Sequence, residues 1–105
     1  MRDEFMRKLV ALRDDLGVPL RVTSGFRCST WNKNVSTTGE SGPHTTGRAV
    51  DIAIAGVEVY DLVRHALARE MTGIGLRQHG PWAGRFIHLD DLHIPGGRPR
   101  IWTYP

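Results

Sequence analysis

Cysteine is almost missing from this chain. Cys28 stands alone in 105 residues, which rules out an internal disulfide and a cysteine-rich zinc module. Any metal must therefore be held by histidines and carboxylates. Long apolar runs are missing too, and no stretch reaches the roughly 20 residues that a membrane-spanning helix needs. The opening Met-Arg-Asp-Glu-Phe-Met-Arg-Lys is charged and lacks the apolar core of a signal peptide, so the expectation is a protein made in the cytoplasm. Strong charge of one sign is also absent: 14 Lys and Arg against 11 Asp and Glu leave a net charge of +3. The densest positive group is Arg98, Arg100 and the nearby Arg85, too thin a cluster for a nucleic-acid interface. Hydrophobic content of 40% and charged content of 24% suit one globular domain over residues 1–105 with a single core.

The chain's order is helix, strand, helical turns, loop, strand, helix and three strands. Phe5, Leu9, Leu12 and Leu16, with Met6 and Val10 beside them, make one apolar stripe and predict a helix over 3–16. Gly17 stands where a helix ends, and Pro19 prevents continuation. Leu20 to Thr23 reads as a short strand leading to Arg27, and residues 29–36 as one or two helical turns capped by Ser29 or Thr30. Thr37 to Gly47 is rich in Ser, Thr, Gly and Pro, a loop of the length that usually carries function. Ala49 to Ala55 alternates, with Val50, Ile52 and Ile54 on one face and Ala49, Asp51 and Ala53 on the other. Val59, Leu62, Val63, Ala66 and Leu67 predict a second amphipathic helix over 56–70. Gly73 to Arg77, Arg85 to Asp91 and Pro99 to Tyr104 read as strands, the last at an edge because proline opens it. The fold class expected is α+β, a mostly antiparallel sheet with helices on one side.

Three residues carry the most suggestive chemistry. His44 and Asp51 stand at H-x6-D, the first in the polar loop and the second in a strand between small neighbours. Imidazole and carboxylate are common ligands of zinc, and His88 supplies a third. In Arg85-Phe86-Ile87-His88-Leu89-Asp90, alternation sends Ile87 and Leu89 to the core while His88 and Asp90 share the opposite face. If that strand neighbours the Asp51 strand, all three polar groups point into one cleft. Taken singly, a strand histidine is more often structural than a ligand, and a loop histidine is usually just solvated.

Together the residues point further. Ser24-Gly25-Phe26-Arg27, Asn32, His44-x2-Gly47-x-Ala49-x-Asp51-Ile52, Gly73-x-Gly75, Phe86-Ile87-His88-Leu89-Asp90 and Trp102 resemble the M15 zinc peptidases. The likeness is to the D-alanyl-D-alanine carboxypeptidases and to the short bacterial and phage proteins grouped with them, and it runs from about Thr23 to Tyr104. The resemblance implies that His44, Asp51 and His88 bind Zn2+, that Arg27 lies beside it, and that the fold is the one shared with Hedgehog signalling domains. It implies a zinc-dependent hydrolase of peptidoglycan stem peptides, a carboxypeptidase or an endopeptidase, that acts on the wall after export or release. A mildly positive surface suits such an anionic polymer. Three protein ligands leave a position for water, which the metal acidifies, and the fork-shaped Arg27 suits a developing oxyanion or a substrate carboxylate.

The general base is the weak point. Classical members carry an acid three residues before the last histidine ligand, where this chain has Arg85. The shorter relatives carry an aspartate two residues after it, matched by Asp90, whose open roles are base, outer partner orienting a ligand, or strand-end carboxylate. His79, His93 and Glu40 are reserves in sequence that reads as loop, Ser41 and Thr45 flank His44, and Trp82, Trp102 and Tyr104 are candidates to line a groove. Cys28 reads as a small buried filler. Two rival readings stand beside the enzyme: a non-catalytic wall- or partner-binding module on the same fold, and a metal-free structural component of a phage particle or similar assembly.

Overall fold

The computed structural model describes residues 3–24 and 47–105. Helix α1, Asp3–Leu16, buries Phe5, Leu9 and Leu12, and its acidic Asp3 and Glu4 sit in the first turn where the helix dipole favours them. It stops at Gly17, whose φ of +70° is a left-handed conformation that glycine adopts without strain, and whose N–H closes on the Arg13 carbonyl at 3.0 Å. The predicted bounds of this helix match the observed ones.

Among the described residues five strands follow the helix: β1, Val22–Ser24; β2, Ala49–Ala53; β3, Gly73–Arg77; β4, Phe86–Asp90; and β5, Arg100–Thr103. A second helix, α2, Glu58–Ala68, separates β2 from β3, and a short 3-10 turn, Trp82–Gly84, precedes β4. The sheet order is β1-β2-β4-β3-β5. Pairings of β1 with β2, β2 with β4 and β4 with β3 are antiparallel, while β3 and β5 run parallel. This is the expected mixed α+β class with a mostly antiparallel sheet, and β5 does lie at an edge.

Among the described residues an apolar cluster joins α1 and α2 to one face of the sheet. Phe5, Leu9 and Leu12 of α1 and Leu62 and Ala66 of α2 meet Val50, Ile52, Ile74, Ile87 and Leu89. Burying each such large side chain is worth about 1.5–3 kcal/mol, so this layer fixes the alternation of every central strand. Ion pairs tie the helices down at the margins: Arg69 forks onto Asp15 with both N–O distances at 2.9 Å. The buried Asp91 accepts from Arg48 Nε at 2.9 Å and lies 3.1 Å from Lys8 Nζ. Among the described residues no helix is long and apolar enough to cross a membrane.

Candidate active site

Strand register decides which side chains meet on the face turned away from the helices. Asp51 of β2 lies opposite His88 of β4, and Ala49 opposite Asp90. On the other side of β4, Gly75 lies opposite His88 and Gly73 opposite Asp90. β5 then sets Trp102 beside Gly75 and Arg100 beside Gly73. Opposed residues share a face, so two rows cross the sheet: Asp51, His88, Gly75, Trp102, and Ala49, Asp90, Gly73, Arg100.

The two glycines are what let this face be polar and buried at once. A Cβ at Gly73 would overlap the Asp90 carboxylate, and one at Gly75 would sit 2.6 Å from Trp102 Nε1. Without those methyls, Asp90 and Trp102 lean across β3 and close over His88, which is only 3% exposed.

Among the described residues His88 is held from three directions. Its Nδ1 lies 3.1 Å from Asp51 Oδ1 and its Nε2 lies 2.7 Å from Asp90 Oδ2. The Trp102 ring packs 5.2 Å from the imidazole at 47°. Burial alone would lower the His88 pKa, but the hydrogen bonds to Asp51 and Asp90 outweigh it and raise the value above 6.5. Carboxylates only accept, so both contacts are hydrogen bonds only when both ring nitrogens carry protons. A cation between Nδ1 and Oδ1 satisfies the same pair differently. Bonds of about 2.0–2.1 Å to one tetrahedral ion set two ligand atoms about 3.3 Å apart, close to the 3.1 Å observed. The pair therefore fits zinc.

Asp90 is itself clamped. Arg98, in the loop before β5, donates from Nε to Oδ1 at 2.9 Å and from Nη2 to Oδ2 at 2.8 Å. Burial would raise the Asp90 pKa, yet the bonds from His88 and Arg98 win and hold it at about 2. Such a carboxylate is a weak proton acceptor, and its geometry is that of a group orienting His88. The folded-state pKa lies below the ordinary aspartate value of 3.8, so the contribution is present above that value and is lost as pH falls through about 2. We expect the stability gap between metal-free wild type and Asp90→Asn to shrink by about 2 kcal/mol from pH 5 to pH 2. Urea denaturation at the two pH values measures it, and a pH-independent gap would contradict the clamp.

Tyr104 completes the wall, with its ring 5.2 Å from Phe86 and 6.4 Å from Trp102. Burial raises its phenol pKa, a Trp102 hydrogen bond opposes this, and the charges of Asp51 and Asp90 add to the rise. Of the three aromatic candidates, Trp102 and Tyr104 reach the site. Trp82 does not line it but packs against Gly56, with the Arg85 guanidinium 5.2 Å over its ring.

Asp51, His88 and Asp90 thus come together. Arg27 and His44 lie outside the described residues, as do Cys28, Asn32, Glu40, Ser41 and Thr45. Among the described residues alone there is no group of three or more His, Cys, Asp or Glu side chains able to hold a metal. His79 and His93 are exposed. Arg85, where classical relatives have an acid, donates to the Gly80 carbonyl from Nε at 3.2 Å and Nη2 at 3.1 Å. Arg98 is the site residue that sequence reasoning missed, having read it only as part of a positive cluster.

Comparison with known proteins places this face in context. The zinc D-Ala-D-Ala carboxypeptidase of Streptomyces albus G is 35% identical over 101 residues, covering 95% of this chain. The chain spans 37% of that relative's length. No solved structure matches significantly. The family model described as peptidase M15 matches residues 2–90, a stretch that takes in Arg27, His44, Asp51, His88 and Asp90. With most of its length matched in this way, the chain belongs to the peptidase M15 family.

Proposed function

We propose that this chain is a zinc-dependent peptidase of peptidoglycan stem peptides, cutting as a D-Ala-D-Ala carboxypeptidase or as an endopeptidase. The observation that carries the reading is the Asp51 Oδ1 to His88 Nδ1 pair at 3.1 Å, with the far side of the same imidazole anchored on a carboxylate. In this reading His44, Asp51 and His88 hold the metal, residues 1–105 form one peptidase domain, and the fold is Hedgehog/DD-peptidase-like. Zinc, when bound, supplies Lewis acidity and an acidified water. Asp51 and His88 present their donor atoms side by side on a sheet that cannot easily shear. Asp90 holds the imidazole ring in plane. Arg27 pairs with the developing oxyanion or with a substrate carboxylate, and Trp102 and Tyr104 flank the peptide. The substrate lies in the cell wall, which the protein meets after export or release.

The relative's name, a zinc D-Ala-D-Ala carboxypeptidase, supports both the metal and the bond. The test joins metal analysis to turnover. About one zinc per chain is expected, with release of D-alanine or cleavage of a cross-link from stem peptides. Chelation should stop the reaction and zinc should restore it. Turnover that survives full chelation would overturn the proposal.

One observation favours a second reading. The position three residues before His88 is Arg85, already engaged with the Gly80 carbonyl, so no acid stands there to move a proton. A wall-binding module with the metal retained as a fixed cation would look the same. Stem peptides that bind at micromolar concentration but never turn over, with zinc present, would decide for it.

A further inference from the structure

Arg98 lies beyond the stretch matched by the family model, yet it is tied into the site more tightly than any other arginine among the described residues. Its side chain is 9% exposed against a fully buried Asp90. Each guanidinium nitrogen is used: Nε and Nη2 fork onto the two Asp90 oxygens, and Nη1 donates to the Gly97 carbonyl at 2.7 Å. The flat group stacks over Trp102 at 4.9 Å, and that ring packs in turn on the His88 imidazole. A backbone turn, with the Gly97 and Arg98 N–H groups on the Ile94 carbonyl at 2.9 and 2.8 Å, fixes where the arginine starts.

A carboxylate bonded only to an imidazole can rotate and offer either oxygen. A carboxylate gripped at both oxygens by a guanidinium fork cannot. It can only accept, so the nitrogen facing it must be the one that carries the proton. Nε2 therefore donates to Asp90, and Nδ1 is the nitrogen turned toward Asp51 Oδ1 at 3.1 Å, where it donates when protonated and where a cation takes its lone pair instead. The Trp102 ring blocks the remaining tilt. Lysine would keep the charge but lose the fork and the flat stacking surface.

We infer that Arg98 is a positioning residue of the metal centre: by clamping Asp90 and stacking on Trp102, it fixes the tautomer and plane of His88 for a divalent cation. The inference rests on the zinc reading above. The full 105-residue chain is titrated with Zn2+ and Co2+ as wild type, Arg98→Gln and Arg98→Lys. Imidazole nitrogen shifts in the zinc-loaded protein report which His88 nitrogen binds the metal and which keeps its proton. The expected result is a 10–100-fold loss of zinc affinity in both variants, the range seen when an outer-shell partner is removed. A changed Co2+ absorption spectrum and a mixed His88 tautomer should accompany it, neither of which a purely structural role would produce. Wild-type affinity, spectrum and tautomer in a folded Arg98→Lys protein would overturn the inference and leave the zinc reading standing. A wild type that binds neither metal overturns both. If neither variant folds, Arg98 is a stability residue and the positioning claim falls.

Discussion

His88→Ala should lose stoichiometric zinc and drop hydrolysis of a stem peptide by more than the 100-fold that loss of an outer-shell partner costs at most. The imidazole touches both Asp51 and Asp90. Removing it strips one donor from the proposed metal and unseats the carboxylate that oriented it. The same change should weaken the metal-free fold by about 2–4 kcal/mol, because two carboxylates lose a buried partner. For a chain of this size that is a fall of roughly 10–20 °C in Tm. Asp51→Asn is the companion variant. It preserves shape and loses charge, so metal affinity should fall with a smaller thermal penalty, Asp51 being more exposed than Asp90. Equilibrium dialysis with zinc and calorimetry read the two quantities separately. Wild-type zinc content in His88→Ala would remove this residue from the centre.

Much of this arrangement is legible in the sequence because periodicity reports burial. The stripe of Phe5, Leu9 and Leu12 and the Gly17 stop set the bounds of α1. Glycine-led β3 has the bounds that its sequence predicts, Gly73–Arg77. The convergence of Asp51, His88 and Asp90 follows from alternation once β2 and β4 are neighbours. Ends are less legible. β2 stops at Ala53 rather than Ala55, although the Ile54 N–H still reaches the Arg85 carbonyl at 3.3 Å. The helix expected over 56–70 runs only Glu58–Ala68, since Gly56 takes a φ of +79° before it and Glu70 one of +62° after it. β1 begins two residues later than Leu20, and its register with β2 slips between Val22 and Ser24.

Side-chain partnerships made across long separations leave no periodic trace. Asp91, in sequence only the last residue of the strand expected over Arg85 to Asp91, is buried against Arg48 and Lys8. Arg98 reads as one of several positive charges in a loop. Only the fold reveals that its fork meets Asp90, because that meeting depends on the turn at Ile94 and on the missing Cβ of Gly73. The G-x-G pattern was visible as part of a family resemblance. Its reason is steric, and it can be tested.

Gly73→Ala is the sharpest such test, because its sign separates two effects. Gly73 does not adopt a left-handed φ, so alanine there carries no backbone strain. On entropy alone, removing a strand glycine should stabilise the fold by about 0.4–1 kcal/mol. The added Cβ, however, would overlap the Asp90 carboxylate. Asp90 has nowhere to go, being bonded to His88 at 2.7 Å and to Arg98 at 2.9 and 2.8 Å. Backbone retreat is blocked as well, since β3 is paired with β4 on one side and β5 on the other. Overpacking of this kind costs about 1–3 kcal/mol, and a carboxylate pushed off its partners adds to it. A net loss of about 2–4 kcal/mol is expected, together with weakened zinc binding. Gly84→Ala is the control: a Cβ there meets nothing within 4 Å, so it should be neutral or slightly stabilising. Gly75→Ala should fall between the two: the Trp102 ring that it strikes is packed on His88 and Arg98, but it is carried by edge strand β5, which is paired on one side only and can yield as a whole. A Gly73→Ala protein that melts with the wild type and binds zinc equally well would mean that Asp90 is free to move, and the clamp on His88 would not exist.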